Sequence, residues 1–132
     1  MTDFHVNVPV RFNDIDMFGH VNSPVYLSYC EINRVAMFTR MHEETGSNLM
    51  ARGFVVAETH IRYLIPVTLE HEFIHVSCSV GRIGRSSFQL NYAVKVDDVM
   101  AAEAEVTVVL VGNSASRPMT DQERDWLTAF KQ

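Results

Sequence analysis

An α+β fold, with one long helix and five strands, is predicted by three features of the sequence. Residues 24–44 repeat apolar side chains with helical spacing, while residues 54–112 contain four segments in which apolar and polar residues alternate. Short polar connections separate these segments, and short connections require neighbouring strands to run antiparallel. Together with a first strand near the N-terminus, the pattern predicts a largely antiparallel five-stranded sheet that curls around the helix.

The first strand is expected over residues 4–12, where apolar and polar side chains alternate. Pro9 lacks the N–H that a central strand needs, which places this strand at an edge of the sheet or at a bulge. A polar loop, residues 13–22, then leads to the helix. The apolar face of the strand consists of Phe4, Val6, Val8, Val10 and Phe12.

The long helix is expected to begin at Ser23-Pro24. Serine can cap a free amide, and proline at the first helical position loses no hydrogen bond. Gly46 is a typical helix stop. Apolar residues cover most of the circumference, which predicts burial on more than one side. The main apolar side carries Tyr26, Tyr29, Cys30, Met37 and Met41, and the apolar surface is extended by Val25, Ile32, Val35, Ala36 and Phe38.

The later strands and the last helix follow from the same patterns. Strands are expected at residues 54–66, 72–83, 86–97 and 100–112. Gly84-Arg85 and Asp97-Asp98 are short enough to form β-hairpin turns. A short C-terminal helix is expected over residues 120–131, with Thr120 and Glu123 as its capping box. One helix covers only one face of such a sheet, which favours pairing with a second copy.

Composition excludes several classes of protein. The chain has 132 residues, a size typical of a single domain, with 47% hydrophobic and 20% charged residues. A net charge of −5 without any Lys/Arg cluster argues against a nucleic-acid partner. There is no signal-peptide pattern and no apolar run of the ~18 residues that a membrane span requires. Cys30 and Cys78 are isolated in apolar surroundings, as expected for reduced thiols of a cytoplasmic protein.

The polar loop and two later segments resemble one known family. The segments are R-F-N-D-I-D-M-F-G-H-V-N-S-P-V-Y-L-S-Y-C-E-I-N-R (11–34), I-R-Y-L-I-P (61–66) and G-R-S-S-F (84–88). In this order they resemble the hotdog-fold acyl-CoA thioesterases of the 4-hydroxybenzoyl-CoA thioesterase-like family, over nearly the whole chain. The resemblance implies a hotdog fold, hydrolysis of an acyl-CoA thioester, and a site at the subunit interface of a homodimer or homotetramer. No metal and no other cofactor is expected.

The resemblance assigns the catalytic carboxylate to Asp16, as a nucleophile or as a general base for water. The chain departs from the family pattern at Ser23, where an Asn is common, and at E-H-E (70–72), where Gly-Asp is frequent. The residues expected to contact the substrate are Gly19, His20, Asn22, Tyr26, Arg62, Arg85, Ser86 and Ser87.

General chemistry supports a reactive group at this place. Thioester hydrolysis needs an oxygen nucleophile and donors for the charge that develops on the carbonyl oxygen. The start of a helix offers free N–H groups and the positive end of its dipole, and Gly19 allows close backbone approach to a substrate. Capping a turn is a common task for aspartate, and general chemistry alone favours it for both Asp14 and Asp16. The resemblance reverses this for Asp16 only, so Asp14 is expected to be structural.

Several alternatives accompany this interpretation. Asp16 and His20 form a pair able to move protons, which is compatible with a hotdog dehydratase or hydratase. The same fold could also bind acyl-CoA without turnover. Glu31 is a competing catalytic carboxylate, or an ion-pair partner of Arg34. A metal site built from His60, His71 and His75 is disfavoured, because these residues lack a typical ligand spacing.

Overall fold

A computed structural model describes residues 3–132 as one curved sheet wrapped against a long helix. The helices are α1 (Ser23–Thr45), α2 (Leu49–Arg52) and α3 (Asp121–Thr128), and Phe12–Asp14 form a single 3₁₀ turn. The strands are β1 (Phe4–Pro9), β2 (Phe54–Tyr63), β3 (Phe73–Ile83), β4 (Ser87–Val96), β5 (Val99–Gly112) and β6 (Ala115–Ser116). The predicted α+β class, the long helix and the five strands are confirmed.

The five long strands run antiparallel in the order β1-β3-β4-β5-β2, so β1 and β2 form the two edges. The edge position of β1 agrees with the prediction from Pro9. Asp97 and Asp98 both have positive φ, 50° and 63°. This is the geometry of a tight hairpin turn whose twist matches the flanking strands. Ala57 is bulged out of the pairing between β2 and β5, while the two-residue β6 pairs with β5 and was not predicted.

The first strand is three residues shorter than predicted. β1 ends at Pro9, and Phe12 lies in the 3₁₀ turn with 79% of its surface exposed. The cause is local, because the backbone N–H of Arg11 donates to the carboxylate of Asp14 at 3.0 Å. A turn closed by a side chain competes with extended pairing, and the alternating pattern could not reveal it.

The long helix begins one residue earlier than predicted. Asn22 is the N-cap residue, with Ser23 as the first helical residue and Pro24 as the second. The assignment of Ser23 as a side-chain cap is therefore wrong, and the side chain of Asn22 makes no capping bond either. The other end is confirmed, since Gly46 has a φ of 81° and donates its N–H to the carbonyl of His42.

The core lies between α1 and the inner face of the sheet. All five residues of the predicted main apolar side are buried. Ile32 and Val35, however, are 48% and 47% exposed, so the outer side of α1 is left uncovered within one chain. Arg34 turns into the core, where its Nε donates to the hydroxyl of Tyr92 at 3.1 Å. The predicted ion pair between Glu31 and Arg34 is therefore absent, because burial of the guanidinium carries it away from the exposed carboxylate.

Glu123 fixes the C-terminal helix to the rest of the molecule. The predicted capping box with Thr120 is present, and the fully buried carboxylate also accepts hydrogen bonds from Ser47, Arg52 and Arg117. Burial alone raises the pKa of Glu123, but these donors outweigh it and hold the pKa at about 2. No helix within residues 3–132 is both long and apolar enough to cross a membrane.

Candidate active site

Asp14 is a buried carboxylate whose two oxygens are both occupied. One oxygen accepts from the side chain of Arg11, and the other from the backbone N–H of Arg11 and from the Tyr29 hydroxyl at 2.9 Å. Burial raises the pKa of Asp14, but these hydrogen bonds outweigh it, so the pKa lies below its ordinary value. This environment fits the structural role predicted for Asp14.

Asp16 lies two residues further, in a loop that closes on itself. Its N–H donates to the carbonyl of His20 at 2.8 Å, and its carbonyl accepts from Gly19, whose φ is 81°. The carboxylate Oδ1 accepts from the N–H groups of Phe18 and His20, at 2.9 and 3.3 Å. Within the described chain, Oδ2 has no donor. The loop therefore orients the carboxylate through one oxygen and leaves the other free to react.

A cleft of about 300 Å³ opens beside this carboxylate. It runs between the start of α1 and the end of β2. Its polar side is formed by Asp16, His20 and Ser23, whereas Tyr26, Tyr63 and Leu64 contribute to its apolar side. The cleft therefore joins a polar side to an apolar one.

The first residue of α1, Ser23, also lines this cleft. The N–H of Asn22 is used by the carbonyl of Asp14, and Pro24 has no N–H. The N–H of Ser23 has no acceptor among residues 3–132. It stands at the positive end of the helix dipole, where developing negative charge is stabilised. A carboxylate and a residue with a free backbone N–H thus line one cleft.

Tyr63, the last residue of β2, belongs to this cleft and was not predicted as a site residue. Its hydroxyl donates to the carbonyl of Ser23 at 3.1 Å, and its ring meets Tyr26 edge-on with centroids 5.2 Å apart. Strand alternation gave no reason to single it out. Its place in the I-R-Y-L-I-P segment, which carries the family resemblance, was the available signal.

The predicted contact residues fall into two groups. Gly19, His20, Asn22 and Tyr26 lie in the Asp16 loop or at the start of α1. Arg62 faces the other side of the sheet, where it pairs with Glu103 at 3.2 Å in a separate depression. One chain therefore does not bring Arg62 to the cleft.

Arg85, Ser86 and Ser87 lie at the far end of the sheet. Ser87 pairs with Val109 of β5, whereas Tyr63 pairs with Ala102. The seven residues from Ala102 to Val109 span about 24 Å at ~3.4 Å per residue. These three residues are therefore also remote from Asp16 within one chain, and their contact with substrate stays a prediction.

The histidines are dispersed. His71 accepts from the N–H of Thr68, whereas His75 contacts His5 and Asn7 on the edge of the sheet. Across residues 3–132, no three His, Cys, Asp or Glu side chains converge as a metal ion would require. Among the described residues, His20 is hydrogen-bonded to Asp16 through its backbone N–H and its carbonyl, and not through its imidazole.

A curved antiparallel sheet wrapped around one long helix is the hotdog fold. The chain belongs to the thioesterase-like superfamily, whose sequence profile matches residues 10–127. The predicted fold, family and enzyme class are confirmed, and the protein is a thioester hydrolase.

Two solved structures and one curated relative are similar to this chain. A thioesterase from Thermus thermophilus, solved with coenzyme A and Zn, is 32% identical; the match covers 96% of this chain and 92% of that chain, with a TM-score of 0.86. A gentisyl-coenzyme A thioesterase shares the fold at 19% identity, over 93% and 98% of the two chains, with a TM-score of 0.80. The uncharacterized protein YsmA of Bacillus subtilis strain 168 is 28% identical, over 94% of this chain and 84% of its own length.

Proposed function

We propose that this enzyme hydrolyses acyl-CoA thioesters with Asp16 as its catalytic carboxylate. The observation that carries the proposal is that one cleft is lined both by Asp16, whose Oδ2 accepts no hydrogen bond, and by Ser23, whose N–H donates none within residues 3–132. The first supplies the oxygen that attacks or deprotonates, and the second supplies the donor for the carbonyl oxygen.

Two routes lead from this geometry to the same products. In one, Oδ2 attacks the thioester carbon, expels the CoA thiolate and leaves an anhydride that water opens. In the other, Oδ2 takes a proton from water, which attacks instead. Both routes consume one water and yield a carboxylic acid and CoA thiol. In both, charge develops on the carbonyl oxygen, and one preorganised donor is worth ~3–4 kcal/mol of barrier.

Coenzyme A as the thiol carrier is supported by similarity. The Thermus thermophilus thioesterase, 32% identical to this chain, was solved with coenzyme A. The contact residues expected from the family resemblance, including Arg62 and the turn Arg85–Ser87, remain candidates for holding the pantetheine arm or the nucleotide. Their positions require an explanation, because they are remote from Asp16 in one chain.

A homodimer provides that explanation. The edge strand β2 is ten residues long and has no proline or lysine, and Val55 and Val56 are 49% and 43% exposed. Such an edge invites pairing with another strand. If two copies pair antiparallel through β2, Phe54 of one copy lies near Tyr63 of the other. Phe54 pairs with Leu110, whose N–H donates to Ser86, so the Arg85–Ser87 turn would approach the Asp16 cleft of the second copy.

The activity is tested with a panel of acyl-CoAs and detection of free thiol. Thiol release with turnover supports the proposal. Loss of enoyl absorbance without thiol would instead indicate a hydratase, and binding without any reaction would indicate a binding module. Among the described residues, the side chain of His20 makes no hydrogen bond with the Asp16 carboxylate, which favours the thioesterase over the hydratase.

The dimer is tested by placing a charge on the β2 edge. Val55→Lys should shift the sedimenting species from dimer to monomer and lower thiol release at least tenfold, because each site needs both copies. Val99→Lys is the matched control, since Val99 is 50% exposed and lies at the β4–β5 turn. A monomeric Val55→Lys enzyme with full activity would show that one chain suffices.

A further inference from the structure

The Tyr63 hydroxyl makes the one side-chain hydrogen bond to the first residue of α1 in the described structure. It donates to the carbonyl of Ser23 at 3.1 Å. The helix begins without a side-chain cap, and Pro24 contributes no N–H to the first turn. Uncapped helix ends fray readily. The hydrogen bond from Tyr63 at the end of β2 therefore holds Ser23 against the sheet and leaves the N–H groups of the first turn without a side-chain cap.

We propose that Tyr63 is a positioning residue that keeps the Ser23 N–H aimed into the cleft. This inference rests on the proposed function, in which that N–H stabilises the carbonyl oxygen. The same residue carries both groups, so fixing the Ser23 carbonyl also fixes the residue whose N–H is free. A donor stabilises a transition state best when no reorganisation is needed at the moment of reaction.

The position of Tyr63 also makes the inference testable. The side chain is 46% exposed, so it contributes little to the core. Its ring rests edge-on against Tyr26, which keeps it in place after loss of the hydroxyl. Tyr63→Phe should therefore fold normally and remove only the tie to Ser23.

In steady-state thiol-release assays, Tyr63→Phe should lower kcat about tenfold and leave KM within about twofold, because a misplaced donor affects the transition state more than substrate binding. Thr39→Val is the matched control. Thr39 also donates its hydroxyl to a backbone carbonyl of α1, that of Val35, but sixteen residues from Ser23. At ~1.5 Å per residue this is about 24 Å away, and kcat should be unchanged.

A second readout does not depend on activity. The ¹⁵N order parameter of the Ser23 N–H should fall in Tyr63→Phe from the ~0.85 of rigid backbone towards ~0.6, and should not change in Thr39→Val. An unchanged order parameter, or a kcat within twofold of wild type, overturns the inference. Failure of the proposed function looks different, since Asp16→Asn would then retain thiol release or the wild-type enzyme would show none.

Discussion

Asp14 and Asp16 are two residues apart, yet the fold gives them opposite environments. Asp14 is 1% exposed and accepts hydrogen bonds on both oxygens from Arg11 and Tyr29. Asp16 is partly exposed and accepts on one oxygen, from two amides of its own loop. The difference arises because Asp14 points into the core beneath α1, while the loop carries Asp16 out to the cleft.

The contrast separates two uses of a carboxylate. A charge that is buried and fully hydrogen-bonded stabilises the fold and has no lone pair left for chemistry. A carboxylate held through one oxygen keeps its orientation and can still react through the other. The number of occupied oxygens, more than the type of residue, distinguishes the structural carboxylate from the candidate catalytic one.

The largest effect is expected for Asp16→Asn. The amide oxygen can still accept from Phe18 and His20, so the loop should persist, while the reactive oxygen is lost. We expect thiol release to fall at least a hundredfold, on the order of 3 kcal/mol of barrier, with the melting temperature changed by less than ~2 °C. Stopped assays and thermal unfolding on the same preparation check both parts. Retention of most of the activity would remove Asp16 from the catalytic role.

Glu123 tests whether a carboxylate whose two oxygens both accept hydrogen bonds is in general a structural one. Its folded pKa is about 2, against an ordinary value of 4.5 for a glutamate side chain. A carboxylate whose pKa is lower in the folded state stabilises the fold at pH values above its pKa in the unfolded chain. That stabilisation is lost as the pH falls through the folded pKa of about 2. Urea unfolding should therefore show wild type more stable than Glu123→Gln by about 3 kcal/mol at pH 7, with a gap that shrinks between pH 4.5 and pH 2. A gap that does not depend on pH would contradict this account.

Asp14→Asn should have the opposite effect to that expected for Asp16→Asn: lower stability with little change in activity. The amide nitrogen would face the donors of Arg11, so we expect a loss of about 2 kcal/mol in the free energy of unfolding. The activity of each folded molecule should stay within about threefold at 20 °C, because Asp14 makes no contact with the cleft. Denaturant titration and active-site-normalised rates check the two parts. A hundredfold loss of kcat with unchanged stability would mean that the two roles have been exchanged.

The smallest effect is expected for Tyr29→Phe. This change removes one of the donors to Asp14 and leaves those of Arg11 in place. The loss should be about 1 kcal/mol in the free energy of unfolding, the typical value of one hydrogen bond. In the double variant with Asp14→Asn, the loss of unfolding free energy should be smaller than the sum of the two single losses, because the partners form one network. Simple additivity in the double variant would show that the hydroxyl acts elsewhere.

Periodicity and turn chemistry were sufficient to predict most of the fold. The extent of α1, the four long strands and the Thr120–Glu123 capping box all follow from local sequence. The end of β1 was missed because Arg11 and Asp14 close a turn through side chains, which alternation does not encode. The helix cap was misplaced because Asn22 is recruited by the carbonyl of Asp14, a contact made by the loop.

The site was predictable only in part. The family resemblance singled out Asp16 and left Asp14 as structural, but Tyr63 becomes a neighbour of Ser23 only once β2 packs beside the start of α1. The remoteness of Arg62 and Ser87 has the same origin, because strand order decides which ends of the sheet meet. Such information lies in pairings between residues far apart in sequence, and no local pattern contains it.

The strand pairing also has a kinetic consequence. β3, β4 and β5 are joined in sequence by tight turns, whereas β1 must pair with β3 across about seventy residues, as Phe4 does with Cys78. Contacts that close long loops form slowly. The Asp16 loop connects β1 to α1, so we expect it to be completed after the β3–β4–β5 hairpins have formed. During refolding, the sheet signal in circular dichroism should return before thiol release does.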